Sequence, residues 1–148
     1  MNKYQELKDR QQKEFNAFPL GVAFSKEQFA NMMAKWNLTV NDTDKICSLG
    51  AGCYIRKCDI EAYKNIGLRF KQEMDDAIAA DFTGDGFIYD MFLYELANHE
   101  YCITYDLEDT LDALHLTAEQ VNENKRLRHG LSEAIKIISK ITKIYKEQ

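Results

Sequence analysis

Leu127, Leu131, Ala134, Ile138, Ile141 and Tyr145 recur at steps of four and three without a miss. A helix turns once in 3.6 residues, so this spacing lines six apolar side chains along one stripe. Such a stripe gains little from helix propensity alone and must be covered by other apolar surface. A chain that carries it therefore has to build a helical core, and the rest of the sequence is read for its partners.

Those partners are present. Tyr4, Leu7, Gln11, Phe15 and Phe18 follow helical spacing up to Pro19, which cannot continue a helix. Ser25 with Gln28 has the form of a capping box, followed by Phe29, Met32, Met33 and Trp36 on one face. Asp59 is placed to cap a long helix over about residues 60–80, with Ile60, Tyr63, Ile66, Leu68, Phe70, Met74 and Ile78 as its apolar positions. A further helix is predicted over about 87–101, a short one from Asp106 or Leu107, and another after the Thr117–Gln120 capping box. Between them, "KICSLGAGCYIRK" has two short β-type runs around Gly50-Ala51-Gly52, which predicts a hairpin with a three-residue turn. The expected fold is mainly α (α+β): one compact domain over 1–148, with five to seven helices and one small β-hairpin near residues 45–57.

A chain of 148 residues, 45% of them hydrophobic, can bury about 70% of its unfolded surface and needs neither disulfide nor metal to hold. Its opening, MNKYQELKDRQQKEF, is charged and lacks the apolar core of a signal peptide. No apolar run approaches the ~20 residues of a membrane span. These features predict a cytoplasmic protein with no membrane association, in which Cys47, Cys53, Cys58 and Cys102 are free thiols. No CxxC pair points to zinc.

Charge is distributed unevenly. From Gln72 to Asn124 the chain has no lysine or arginine, yet these 53 residues hold fourteen acids. The net charge of −5 thus combines a segment at −14 with a remainder at +9, and seven basic residues follow from Lys125 onward. The basic last helix can neutralise the acidic ones from within, although surface ion pairs contribute only ~0–1 kcal/mol each. Alternatively the carboxylates share an exposed face whose field reaches a Debye length of ~8 Å and steers a basic partner. On that basis Asp90, Glu95, Glu100, Glu108, Asp109 and Asp112 are the candidate partner-binding residues, and the expected partner is a host protein with a basic surface.

"DFTGDGFIYDMF", residues 81–92, begins as a calcium loop does. Asp81, Thr83, Asp85 and the Phe87 carbonyl stand at the first, third, fifth and seventh positions, with Gly86 at the turn. The second half departs: Tyr89 is a poor ninth residue, and Phe92 replaces the bidentate glutamate. The first expectation is an interhelical turn in which Gly84 and Gly86 supply unusual backbone angles and Asp85 caps the next helix. The second is a weak, partly hydrated Ca²⁺ or Mg²⁺ held by Asp81, Thr83, Asp85 and Phe87. Beyond that ion no cofactor is expected.

Glu95 and His99, four apart on a helix, could contribute to a metal-dependent hydrolase, but HExxH is absent and the chain has only three histidines. No catalytic residue is assigned. "GAGCYI" lacks the third glycine of a dinucleotide loop. The helix–helix–hairpin order loosely suggests a winged helix, but Lys26 and Lys35 beside Glu27 are too few cations to hold phosphates, so direct nucleic-acid binding is not expected.

As a set, "SLGAGCYIRKCDIEAY", "DFTGDGFIYDMFLYELANHEY" and "DLEDTLDALHLT" resemble an uncharacterised family of small acidic proteins from Firmicutes and their phages and plasmids. The resemblance implies no activity and no catalytic residue. It implies a context, since small acidic proteins of mobile elements often serve as accessory or anti-defence factors that bind a host protein.

Overall fold

The computed structural model describes residues 1–148. Eight helices are present: α1 (Lys3–Asn16), α2 (Lys26–Lys35), α3 (Ile60–Ala80), α4 (Phe87–Asn98), α5 (Tyr101–Thr104), α6 (Glu108–Ala113), α7 (Ala118–Glu123) and α8 (Lys125–Lys146). Three short strands accompany them: β1 (Gly21–Val22), β2 (Ile46–Gly50) and β3 (Cys53–Arg56). The fold is mainly α, as the periodicities require. The chain divides into two compact units, residues 11–72 and residues 1–10 with 73–148.

In the unit of residues 11–72 the strands form an antiparallel sheet in the order β1-β3-β2. The expected hairpin is β2–β3, but Gly50 pairs with Cys53, so the turn has two residues, Ala51 and Gly52, instead of three; these two and Gly50 take left-handed backbone angles. The strand β1 has no counterpart in the sequence reading, because two residues carry no periodic signal. It pairs Gly21 with Tyr54 and Val22 with Cys53. Gly21 is required there, since a Cβ would stand 2.4 Å from Met32 Sδ. Met32 and Met33 of α2 meet Ala23 and Ile46 in a small core flanked by Phe29, Trp36, Leu38 and Tyr54. Ser25 Oγ accepts the Gln28 N–H at the start of α2, as its spacing predicts. Asp59 does not act as the expected cap for α3; its carboxylate pairs instead with Arg56 Nε at 2.8 Å.

In the other unit, α4 is the central element. Phe87, Ile88, Met91, Phe92, Glu95 and Leu96 are all buried on it. They pack with Tyr4, Leu111, Leu114, Val121, Leu127, Ala134 and Ile138 in one core. Full burial of each large apolar side chain contributes ~1.5–3 kcal/mol. The predicted α8 stripe supplies Leu127, Ala134 and Ile138 to this core, with Leu131 half-buried against it. Helices α4 and α8 run side by side in the same direction, because Gly84 abuts Arg126 and Ile88 abuts Gly130. Gly130 makes that approach possible: a Cβ there would lie 2.5 Å from Ile88 Cγ2 and 2.9 Å from the Gly84 carbonyl oxygen.

The helix count exceeds the expected five to seven because α4 stops at Asn98 instead of continuing to Tyr101. Glu100 adopts φ 54°, a left-handed angle that breaks the helix and starts α5. No glycine marks this break, so propensity could not reveal it. The Thr117–Gln120 capping box forms as predicted at α7.

Candidate functional site

The cation-free segment spans the end of α3 to the end of α7, and the eleven of its fourteen acids that follow α3 meet three different fates. Some are internal. Glu95 is only 2% exposed: its Oε1 accepts the Tyr4 hydroxyl at 2.5 Å, and its Oε2 lies 3.2 Å from His99 Nε2. Burial, and then the neighbouring Glu95, push the Tyr4 phenol well above its ordinary pKa, so it stays a neutral donor. Glu95 therefore cannot belong to an exposed acidic face, and its candidacy as a partner contact is withdrawn. The i,i+4 spacing did correctly place Glu95 and His99 together.

Asp90 is half-buried and occupied as well. Its carboxylate accepts the Lys3 N–H at 2.9 Å, and its carbonyl accepts Asn2 Nδ2 at 2.8 Å. A carboxylate facing the first N–H of α1 complements the positive end of the helix dipole.

The loop of residues 81–86 is built around Asp81. Its Oδ1 accepts the Gly84 N–H at 3.0 Å, while Oδ2 accepts those of Gly86 and Ile88 at 3.1 and 3.0 Å. Burial alone would raise the carboxyl pKa, but these backbone donors outweigh it and hold Asp81 below the ordinary carboxylate range. Asp81 thus satisfies the free amides at the start of α4, the task expected of Asp85. Asp85 turns instead to α8, with Oδ1 2.6 Å from His129 Nε2. Arg126 closes the loop from the other side, donating to the Asp81 carbonyl at 2.7 Å and the Ile78 carbonyl at 3.0 Å, and so caps the end of α3. The candidate metal residues Asp81, Thr83, Asp85 and Phe87 are therefore organised as a capped turn. No group of three His, Cys, Asp or Glu side chains converges anywhere in a metal-holding arrangement.

The remaining acids lie at the surface. Glu100, Asp106, Glu108, Asp109, Asp112, Glu119 and Glu123, on or beside α5, α6 and α7, are all exposed. None of these seven takes part in an ion pair. Asp106 Oδ1 accepts the Glu108 N–H at 2.9 Å, which organises the start of α6. The basic last helix does not neutralise these groups directly: Arg126 is spent on backbone carbonyls, and Lys136 pairs with Glu133 of its own helix. Of the six candidate contacts, Glu100, Glu108, Asp109 and Asp112 are thus on the surface, while Asp90 and Glu95 are structural.

Two exposed apolar side chains, Ile103 and Tyr105, accompany the acids on and just after α5. Sequence reasoning missed them because four helical residues are too few to show a face. It also missed Tyr4 and Arg126 as polar partners, since each acts on residues more than forty positions away.

Residues 3–137 match the family model described as a family of unknown function, DUF7659. No curated protein and no solved structure matches the chain. No helix is long and apolar enough to cross a membrane.

Proposed function

The chain belongs to this family of unknown function, and we propose that it is a non-enzymatic binding protein whose acidic surface docks on a basic surface of a host protein. One observation carries the proposal: the carboxylates of α6 and α7, with Glu100, are exposed and free of ion pairs in a stretch that has no lysine or arginine of its own. Like charges with no cation interleaved in sequence repel one another, and a cationic partner relieves that repulsion while gaining a steered approach. The contact residues in this proposal are Glu100, Glu108, Asp109 and Asp112. The resemblance to small acidic proteins of Firmicutes, their phages and plasmids supports a cytoplasmic accessory or anti-defence role, with the partner's nucleic-acid channel as one basic surface of the right kind.

The test is affinity capture from the native host, followed by titration of the captured partner against the purified chain. Affinity falls steeply as salt rises from ~50 to ~300 mM, because screening shortens the reach of exposed charge. Asp109→Lys together with Asp112→Lys weakens binding at least tenfold. Salt-insensitive binding, or full affinity in the charge-reversed variant, would remove the proposal.

A further inference from the structure

In the unit of residues 11–72, the chain from Ala23 into the start of α2 forms an open groove of about 510 Å³ with Val40 and with Tyr54 of β3. That volume lies within the range of ~300–1,000 Å³ typical of small-molecule sites. Two of its walls are anchored from below. Phe29 and Tyr54 pack on the small core and meet edge-on, with ring centroids 5.5 Å apart and planes at 70°. The other apolar walls, Phe24 and Val40, are 74% and 49% exposed. Phe24 is nonetheless held in place. Its N–H donates to Gln28 Oε1 at 2.8 Å, and its ring lies over Gly52, where a Cβ would stand 2.4 Å from Phe24 Cε1. An exposed ring fixed in this way contributes little to the core, and it can cover a ligand with little ordering cost.

The polar groups of the groove are few. Ser25 Oγ is already occupied by the Gln28 N–H. Lys26 is exposed, forms no ion pair and is the one charged residue among the walls. The neighbouring acid, Glu27, does not line the groove. Lys26 is also the first residue of α2, where the positive end of the helix dipole disfavours a cation. An anion beside Lys26 answers both charges. An extended peptide fits these walls less well than a small molecule does. The amides of Ala23, Phe24 and Phe29 are spent on the Gly52 carbonyl, Gln28 Oε1 and the Ser25 carbonyl, so these residues offer no N–H to a peptide backbone.

We propose that this groove binds a small aromatic acid. Its flat ring system packs edge-on or offset against Phe24, Phe29 and Tyr54, and its carboxylate pairs with Lys26. The site is independent of the docking of a basic partner, since Glu100, Glu108, Asp109 and Asp112 all belong to the other unit.

The test is titration of the full chain with 2-naphthoate and with its uncharged counterpart, 2-naphthamide, followed by amide shifts in proton–nitrogen NMR spectra. The expected shifts from 2-naphthoate centre on Ala23 to Phe29, Val40 and Tyr54, and the amide binds at least fivefold more weakly. Lys26→Gln erases the difference between the two compounds. Phe24→Ala weakens both at least fivefold. Circular dichroism of both variants stays that of the wild type, because both side chains already lie at the surface. Equal affinity for the acid and the amide would overturn the proposal, as would wild-type binding by Phe24→Ala. Shifts centred on Ile103 and Tyr105, or no shifts at millimolar ligand, would do the same. Tighter binding of a capped Glu-Phe-Glu peptide than of 2-naphthoate would replace the small acid with an acidic peptide.

Discussion

The Tyr4 hydroxyl donates a 2.5 Å hydrogen bond to Glu95 Oε1, joining the first helix to the centre of α4 across 91 positions of sequence. Both side chains are buried, and His99 stands on the second oxygen of the carboxylate. An acid in such a place is tolerable only while its oxygens have partners.

Tyr4→Phe removes the donor and keeps the ring. The Glu95 oxygen left behind is buried and under-satisfied, so the variant loses ~1–3 kcal/mol, read from urea denaturation midpoints at constant slope. An unchanged midpoint would mean that water replaces the hydroxyl.

Two glycine-to-alanine substitutions should move stability in opposite directions. Gly67, inside α3, has nothing within 4 Å of the place an added methyl group would take, so Gly67→Ala gains up to ~1 kcal/mol of helix propensity. Gly130→Ala gains the same propensity but drives a methyl into Ile88 and the Gly84 carbonyl, with a net loss of ~1–3 kcal/mol. Thermal melts of the two variants provide the comparison.

Asp81 makes stability sensitive to acid. Its folded pKa is lowered, so its contribution is present above the unfolded value of ~3.9 and fades as pH falls through the folded value. Asp81→Ala costs ~0.5–2 kcal/mol at neutral pH, as loss of a helix cap does, and the gap from wild type narrows in strong acid. Melting temperatures of both proteins across this range check the sign.

Calcium or magnesium at millimolar concentration leaves the melting temperature unchanged, because Asp81 faces backbone amides and Asp85 faces His129. Isothermal titration is the direct measurement. Heat that disappears in Asp85→Asn would instead make the loop a cation site.

Much of the architecture was legible from spacing. The α8 stripe, the α7 capping box, the Ser25 cap and the β2–β3 hairpin are local patterns, in which residues within a turn of one another specify the backbone. The break at Glu100 was not legible, since a left-handed glutamate has no signature in composition. Nor was the exchange of roles in the 81–86 loop, where two aspartates four apart look equally able to cap a helix.

From sequence alone came the helical class of the fold, the positions of most of its helices and the clustering of acid in one stretch. Those features depend on neighbours along the chain and on formal charge. Tertiary structure alone decided which acids are free. Glu95 and Asp90 differ from Asp109 and Asp112 only in what packs against them, and Tyr4, Lys3 and the core around α4 come from remote parts of the chain. Burial is a property of the folded surface, and a carboxylate carries no local mark of whether its partner will be water, a phenol or another protein.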